Sequence, residues 1–522
     1  MRSVARHPLR AIGFAAVGLF AMYTLLAGTP AEAQTVKRGG RLVIAQDEGP
    51  DRIDPHGTVM SFQHRIIVNG PYEALLGLDK DLTIGPSLAT AWKEENPTSY
   101  TFTLREGVKF HDGSTMTMDD VLFTFQRIMD SNRPSDARTK MRMVKSVARV
   151  DDRTVRIELK SPSAPFLRYM ASPEVTGIVS RKFTEAAKND LTRTANGTGA
   201  FRITNFTPGV NVTFEKFADY WDAGKPYLDR IELRIIPDDS TRIAALRTGE
   251  IDMTFFRPDK RPLLNALRNV TIGESIHNST QMLPFNCERA PMSDLRVRQA
   301  FALSIDRNVI MNTVFPGRVA RPGMAVAPAD KKYGYQGDGT DLPYWKGDIP
   351  RARKLLADAG FPNGLKMTIQ YIGTPAFAVD SRISELLREQ VARSGIDLQL
   401  VPIEYSASAR NSIAGNYEIM SNGRGMDADP EGAFFDALGS AVRTKCKDPK
   451  FDAMVDAANA ELDVGKRATM LTNAQKYILE NVYFIYMFSA PFRVEVWKND
   501  VKGYEPMPTV RRTSLRQVWL DR

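Results

Sequence analysis

The feature that most constrains this fold is a regular strand–helix–strand succession beyond residue 290. Asp294 precedes Val297, Ala300, Phe301, Ile305 and Val309, which share one helical face, so Asp294 is placed to cap that helix. Arg351 to Ala359 reads as a helix ended by Gly360 and Lys366 to Tyr371 as a strand. Ile383, Leu386, Leu387 and Val391 form the inner stripe of a further helix ended by Gly395, and Ile396, Leu398 and Leu400 alternate as the next strand. Such a β-α-β run predicts an α/β fold with a mostly parallel sheet covered by helices.

Upstream, Tyr100, Phe102 and Leu104 alternate with polar residues as a half-buried strand, and Asp112-Gly113 follows as a turn. Thr117-x-x-Asp120 is a capping box opening an amphipathic helix through Met129, with Thr117 able to accept from the free amides of the first turn. Val155, Ile157 and Leu159 mark another strand, as do Val210, Val212 and Phe214, and then Ile231, Leu233 and Ile235. Thr241 opens a helix through Leu246 that stops at Gly249, with strand Ile251-Asp-Met253 behind it. Pro328 to Pro350, rich in Gly, Asp, Pro and Tyr, reads as a long ordered loop.

The chain has 522 residues, 43% hydrophobic and 25% charged, which is globular rather than disordered, collagenous or coiled-coil. The net charge of +9 is dispersed along the sequence, whereas nucleic-acid binders concentrate basic residues in a patch; no nucleic-acid partner is expected. Residues 1–33 read as a cleaved secretory signal: Arg2, Arg6 and Arg10, an apolar run from Ala11 to Ala27, and Ala31-Glu32-Ala33 before Gln34. An uncleaved anchor is the rival reading, because the run approaches the lower spanning limit of roughly 17 residues. No cysteine follows the cleavage site, so the expectation is a periplasmic protein that is not a lipoprotein. The length suggests about three domains on a prior of roughly 150 residues each.

Chemistry-bearing signatures are missing. There is no phosphate loop, no His-Glu-x-x-His, no Gly-x-Ser-x-Gly and no strand-linked Gly-x-Gly-x-x-Gly. His56, His64, His111 and His277 match no metal spacing and read as structural. The expectation is a chain with no catalytic residues, no metal and no cofactor. Cys287 and Cys446 are free to form a disulfide in an oxidising compartment, which would add about 5 kcal/mol by loop entropy; two free thiols are the alternative.

An ordered set of segments resembles the family 5 extracellular solute-binding proteins, the dipeptide, oligopeptide and nickel receptors of ABC importers. The set runs Pro86-Ser-Leu-Ala-Thr-Ala-Trp92, Tyr100-Thr-Phe-Thr-Leu-Arg-Glu-Gly-Val-Lys-Phe-His-Asp-Gly113, Asp119-Asp-Val121, Gly197-Thr-Gly-Ala-Phe201, Asp219-Tyr-Trp221 and Gly249-Glu-Ile-Asp252. It continues with Pro291-Met-Ser-Asp-Leu-Arg-Val-Arg-Gln-Ala300, Ile305-Asp-Arg307, Ala359-Gly-Phe361 and Tyr486-x-x-x-x-x-Phe492. The resemblance implies a two-lobed periplasmic-binding-protein fold, class II-like of cluster C, with an additional third domain. Lobe I would combine 34–75, 198–285 and 492–522, the inserted domain would be 76–197, and lobe II 286–491. It implies a monomeric receptor that closes its lobes on a peptide or peptide-like solute and docks on an inner-membrane permease with cytoplasmic ATPase subunits. Trp92, Trp221 and the motif glycines would serve the fold rather than the ligand.

Peptide-binding members carry Gly-Trp-x-x-Asp before an acidic residue and Pro, the Asp pairing with the ligand's α-ammonium. The matching segment here is Gly423-Arg-Gly-Met-Asp-Ala-Asp-Pro430, one residue shorter and with Arg424 for the Trp. By that resemblance Asp427 is the counterpart, with Arg424, Met426 and Asp429 beside it; the alternative is that Asp427 and Asp429 cap the following turn and helix. Dipeptide-specific members place Arg-Pro after the strand equivalent to Lys366–Tyr371, where this chain has Gly373-Thr374-Pro375. Thr374 is therefore a candidate contact, and a non-peptide solute (a nickel chelate, an opine or a glycan) stays open, as does a secreted hydrolase or chaperone. Glu48 and Gly49 on the first lobe, and Gln281 and Met282 near the lobe junction, complete the candidates, with core or turn as their alternative reading.

Overall fold

The stretch Arg41–Gln46 is buried on both faces, Leu42 and Ile44 against one apolar cluster and Val43 and Ala45 against another, as an interior parallel strand requires. In the computed structural model it sits at the centre of a seven-stranded sheet. The order is Val270–Glu274, Val494–Lys498, Met253–Phe256, Arg41–Gln46, Arg230–Ile235, Asn211–Lys216 and Phe201–Thr207. Arg41–Gln46 runs parallel to Arg230–Ile235 and Met253–Phe256, while Val494–Lys498 lies antiparallel between Met253–Phe256 and Val270–Glu274. Three distant segments thus build one sheet, termed here the first lobe. The structure describes residues 35–50, 52–57, 68–133, 135–274, 279–315, 342–374, 377–425, 429–433, 445–490, 493–506 and 515–522. Lys37–Arg522 form one compact unit.

Between the first-lobe segments lies a four-stranded antiparallel sheet in the order Ala89–Asn96, Ser99–Leu104, Thr154–Leu159, Val144–Arg149. Helix Met118–Met129 packs on it through Val121, Phe125 and Ile128. At its N-terminus the Asp120 carboxylate accepts from both the Thr117 amide and the Thr117 hydroxyl at 2.8 Å. The Thr117 side chain also accepts from the Asp120 amide, so both halves of the expected capping box are present. Gly197 sits so close to Pro71 that a Cβ would meet its carbonyl oxygen at 1.9 Å, which explains the glycine of that motif. Trp221 donates to Glu73 at 2.8 Å and lies under Arg105, and Trp92 packs on the same core, so both tryptophans serve the fold.

The second lobe carries the parallel sheet predicted from the β-α-β run, in the order Ile396–Ile403, Leu365–Ile372, Ile419–Met420. A second sheet sets Ser279–Pro284 between Asn422–Gly425 and Phe484–Ala490. Ser279–Pro284 thus pairs with second-lobe strands, not with the seven-stranded sheet to which a boundary at 285 would assign it. The long helix expected after Asp294 is two helices, Leu295–Leu303 and Arg307–Val314, because Asp306 supplies a second cap by accepting from the Val309 amide. Similarly Asp238, not Thr241, caps helix Asp239–Thr248 by accepting from the Thr241 amide at 2.7 Å. Most of the loop expected at 328–350 lies outside the described residues.

The cysteines form a disulfide, Cys287–Cys446, across 159 residues of the second lobe. His56 and His111 are structural: His56 Nε2 donates to the Gly177 carbonyl and its Nδ1 accepts from Arg127, while His111 Nε2 donates to the Gly199 carbonyl. Burial, reinforced by Arg127, holds the His56 imidazole down at about 3, and burial brings His111 to about 4. His64 and His277 lie outside the described residues.

Two outcomes follow. Cys287→Ser with Cys446→Ser should lower the unfolding free energy by up to about 5 kcal/mol, read as a lower urea midpoint that reductant reproduces in the parent chain. Both histidine values lie below the unfolded value of about 6.5, so the unfolded chain takes up protons first as pH falls. These two sites therefore withdraw stability from about pH 6.5 downward, and their imidazole resonances should stay in the neutral form between pH 8 and 5 in NMR titration.

Candidate functional site

In open α/β sheets the crevice lies beyond the carboxyl ends of the parallel strands, where the backbone leaves the sheet and side chains can converge. On the first lobe, Arg41–Gln46 ends at Asp47, followed by half-buried Glu48 and Gly49, and Met253–Phe256 ends at Arg257. The antiparallel pairing of Phe256 with Val494 brings Arg493 to the same end. On the second lobe, Leu365–Ile372 ends at Gly373 and Thr374, Ile419–Met420 at Ser421, and Asp380 lies in the first turn of helix Ala378–Ala392.

These ends meet. The Arg257 guanidinium lies 4.3 Å over the ring centroid of Phe377, joining the two lobes. Asp47 accepts from Arg493 at 3.0 and 3.3 Å, both side chains being buried. Burial pushes the Asp47 carboxyl up, but Arg493, with Arg257 and Arg242 behind it, outweighs that and holds it below the usual carboxylate range. Asp380, 5% exposed, accepts from Gln281 Nε2 at 2.9 Å and from the Ser421 hydroxyl at 3.4 Å. Burial pushes its carboxyl up to about 6, with Arg257 and the two hydrogen bonds pulling the other way. Among the described residues no group of three His, Cys, Asp or Glu side chains is placed to hold a metal.

The residues singled out from the sequence are distributed unevenly over this region. Gln281 belongs to it through Asp380 and Ser421, and Thr374 sits at its edge, half-buried, with its carbonyl accepting from the Phe377 amide at 2.8 Å. Gly49 packs so close to Ile235 that a Cβ would lie 2.9 Å from its Cγ1, a packing reason for the glycine. Met282 is not a cleft residue: a register shift separates it from Gln281, and it is buried with Trp345, Phe451 and Tyr486. Nor is Asp429 open to a ligand. It binds Arg467 at 2.7 and 2.9 Å in a pair 1% exposed on each side, and accepts from the Glu431 amide at 2.9 Å, which is the turn-capping role. Arg424 is placed by its backbone, opposite Thr280 in strand Asn422–Gly425; Met426 and Asp427 lie outside the described residues.

Asp47, Arg257, Phe377, Asp380, Ser421 and Arg493 were not singled out from the sequence. Most stand directly beyond a strand end, and that position was the available signal. A second contact joins the four-stranded domain to the second lobe, where buried Glu431 accepts from Arg142 at 2.7 Å, the Tyr169 hydroxyl at 2.6 Å and Asn459 at 3.0 Å.

Comparison with known proteins agrees with this architecture. Residues 83–445 match the family described as bacterial extracellular solute-binding proteins, family 5 Middle. The chain is 27% identical over 554 aligned positions to di/tripeptide-binding protein 2 of Pseudomonas aeruginosa, covering 100% of this chain and 99% of that one. It is 29% identical over 438 positions to heme-binding protein A of Haemophilus influenzae, covering 77% and 79%. Among solved structures, the periplasmic binding protein DppA of Helicobacter pylori in complex with the peptide STSA superposes with a TM-score of 0.82 at 26% identity, over 93% of this chain and 99% of that one. With a two-lobed fold whose strand ends converge on one crevice, and with the family match spanning most of its length, this chain belongs to the family 5 bacterial extracellular solute-binding proteins.

Proposed function

We propose that this chain is a periplasmic receptor that captures a peptide or peptide-like solute between its lobes and delivers it, unaltered, to an inner-membrane ABC permease driven by cytoplasmic ATPase subunits. The observation that carries this reading is the meeting of opposed strand ends, where Asp47, Arg257 and Arg493 of the first lobe face the Asp380 carboxylate of the second. A zwitterionic ligand suits such a lining, because each terminus finds an opposite charge in a site shielded from water. The relative that binds di- and tripeptides and the neighbour complexed with a peptide support the same choice. Residues 1–33 act as the export signal, the mature chain works as a monomer, and Asp427 receives the ligand's ammonium. Ligand that touches both lobes stabilises the closed form by its differential affinity for it. A non-peptide solute is the second reading, favoured by Gly373-Thr374-Pro375 where dipeptide receptors carry Arg-Pro.

Purified mature chain should bind short peptides in isothermal titration, release them intact, and show a smaller radius of gyration in solution scattering when loaded. Hydrolysed peptide, or equal dimensions empty and loaded, would overturn the proposal. Asp427→Ala should weaken binding at least tenfold while leaving thermal unfolding of the empty protein unchanged. Asp429→Ala should do the opposite. It strands the buried Arg467 charge, so stability should fall by about 3–5 kcal/mol, with peptide affinity of the folded protein retained.

A further inference from the structure

Phe377 is the N-cap residue of helix Ala378–Ala392 and Asp380 lies in its first turn, and Arg257 of the other lobe acts on both, over the ring of one and on the carboxylate of the other. An aromatic face beside a buried carboxylate is a cation-binding arrangement: the ring offers its negative quadrupole and the carboxylate its charge. In this structure the cation is supplied from the other lobe by Arg257, 4.3 Å above the ring. The two carboxylates near Arg257 depend on it unequally. Asp47 has its own buried partner in Arg493. Asp380 has Arg257 as the cation acting on it, its Oδ1 takes the hydrogen bonds from Gln281 and Ser421, and among the described residues its Oδ2 accepts none. A buried carboxylate left without a cation is costly, so a solute group that displaces Arg257 from Asp380 in the closed cleft must bring a positive charge of its own.

We propose that Phe377 and Asp380 form a cation subsite on the second lobe, filled by Arg257 when the lobes are closed without solute, as in this structure, and taken over by a basic group of the solute when one is bound. The solute class is then a short peptide or peptide-like molecule bearing a guanidinium or ammonium side group besides its α-ammonium. Gln281 and Ser421 fix the carboxylate, so the acceptor is preorganised on strands and a helix rather than on a loop. Arg257 acts as an internal competitor, and a neutral solute of the same shape does not gain by displacing it. This inference rests on the reading of the chain as a receptor for a peptide-like solute.

The test compares Ala-Arg-Ala with its neutral isostere Ala-citrulline-Ala by isothermal titration on the parent chain, Arg257→Ala and Asp380→Asn. The ratio of the two affinities is the readout, since loss of a lobe–lobe contact alters both peptides alike. The parent should prefer the arginine peptide about tenfold, Arg257→Ala should raise that preference at least tenfold further, and Asp380→Asn should bring the ratio to within twofold of one. A ratio unmoved by either variant overturns the subsite. If neither peptide binds any form, the peptide-receptor reading fails, and the subsite is decided without a peptide. Methylguanidinium chloride at 50 mM, against sodium chloride of equal strength, should then raise the melting temperature of Arg257→Ala but not of Arg257→Ala/Asp380→Asn. Equal melting shifts in those two variants overturn it.

Discussion

A buried ion pair at the base of the cleft, Asp47 with Arg493, ties the end of the first strand to the start of the last long one. Two side chains under a tenth exposed stand 3.0 Å apart, and breaking such a pair would leave a charge in a medium that cannot solvate it. The pair closes the central sheet where the chain returns from the second lobe. Every residue of the proposed crevice on the first-lobe side is positioned from this junction, Arg257 included, because the pairing of Phe256 with Val494 sets both arginines side by side.

The second lobe meets this edge with groups held by regular structure. Asp380 sits on a helix, Gln281 on a strand with a bulge after it, and Ser421 at the end of a two-residue strand. Their mutual hydrogen bonds restrict the rotamers before any ligand arrives, which lowers the ordering cost of binding. The inserted domain is also attached, since Glu431 gathers donors from Arg142 and Tyr169 as well as from Asn459 of its own lobe. Burial pushes the Glu431 carboxyl up, and Arg142 and Tyr169 draw it back.

Much of the fold was legible in the residues because its signals are local. The alternation of Leu398 and Leu400, the stripe from Ile383 to Val391 and the glycine after it needed no knowledge of distant partners, and the parallel sheet followed. Caps were harder, because carboxylates compete: Asp238 and Asp306 took positions that hydrophobic periodicity alone assigned to the middle of longer segments or to Thr241. The crevice was least legible. Met282 and Gln281 are neighbours with opposite fates, divided by a bulge that no residue pattern announces. Asp429 looked like a ligand group, but its partner Arg467 lies on another helix. Asp380 was hidden for the same reason: its environment is made by Gln281, Ser421 and Arg257, all brought to it from distant parts of the chain.

The placement of Val494–Lys498 inside the first sheet has a consequence for biogenesis. Among the described residues Val270–Glu274 hydrogen-bonds to no other strand of that sheet, so its partner arrives only with the last thirty or so residues. The Asp47–Arg493 contact spans 446 positions, one of the longest closures the polypeptide offers. Non-local pairings of this kind form slowly, because the chain entropy is lost before the contacts are gained. A polypeptide emerging from its N-terminus therefore cannot complete its first lobe early. Its own topology keeps that half open until nearly the whole sequence is out.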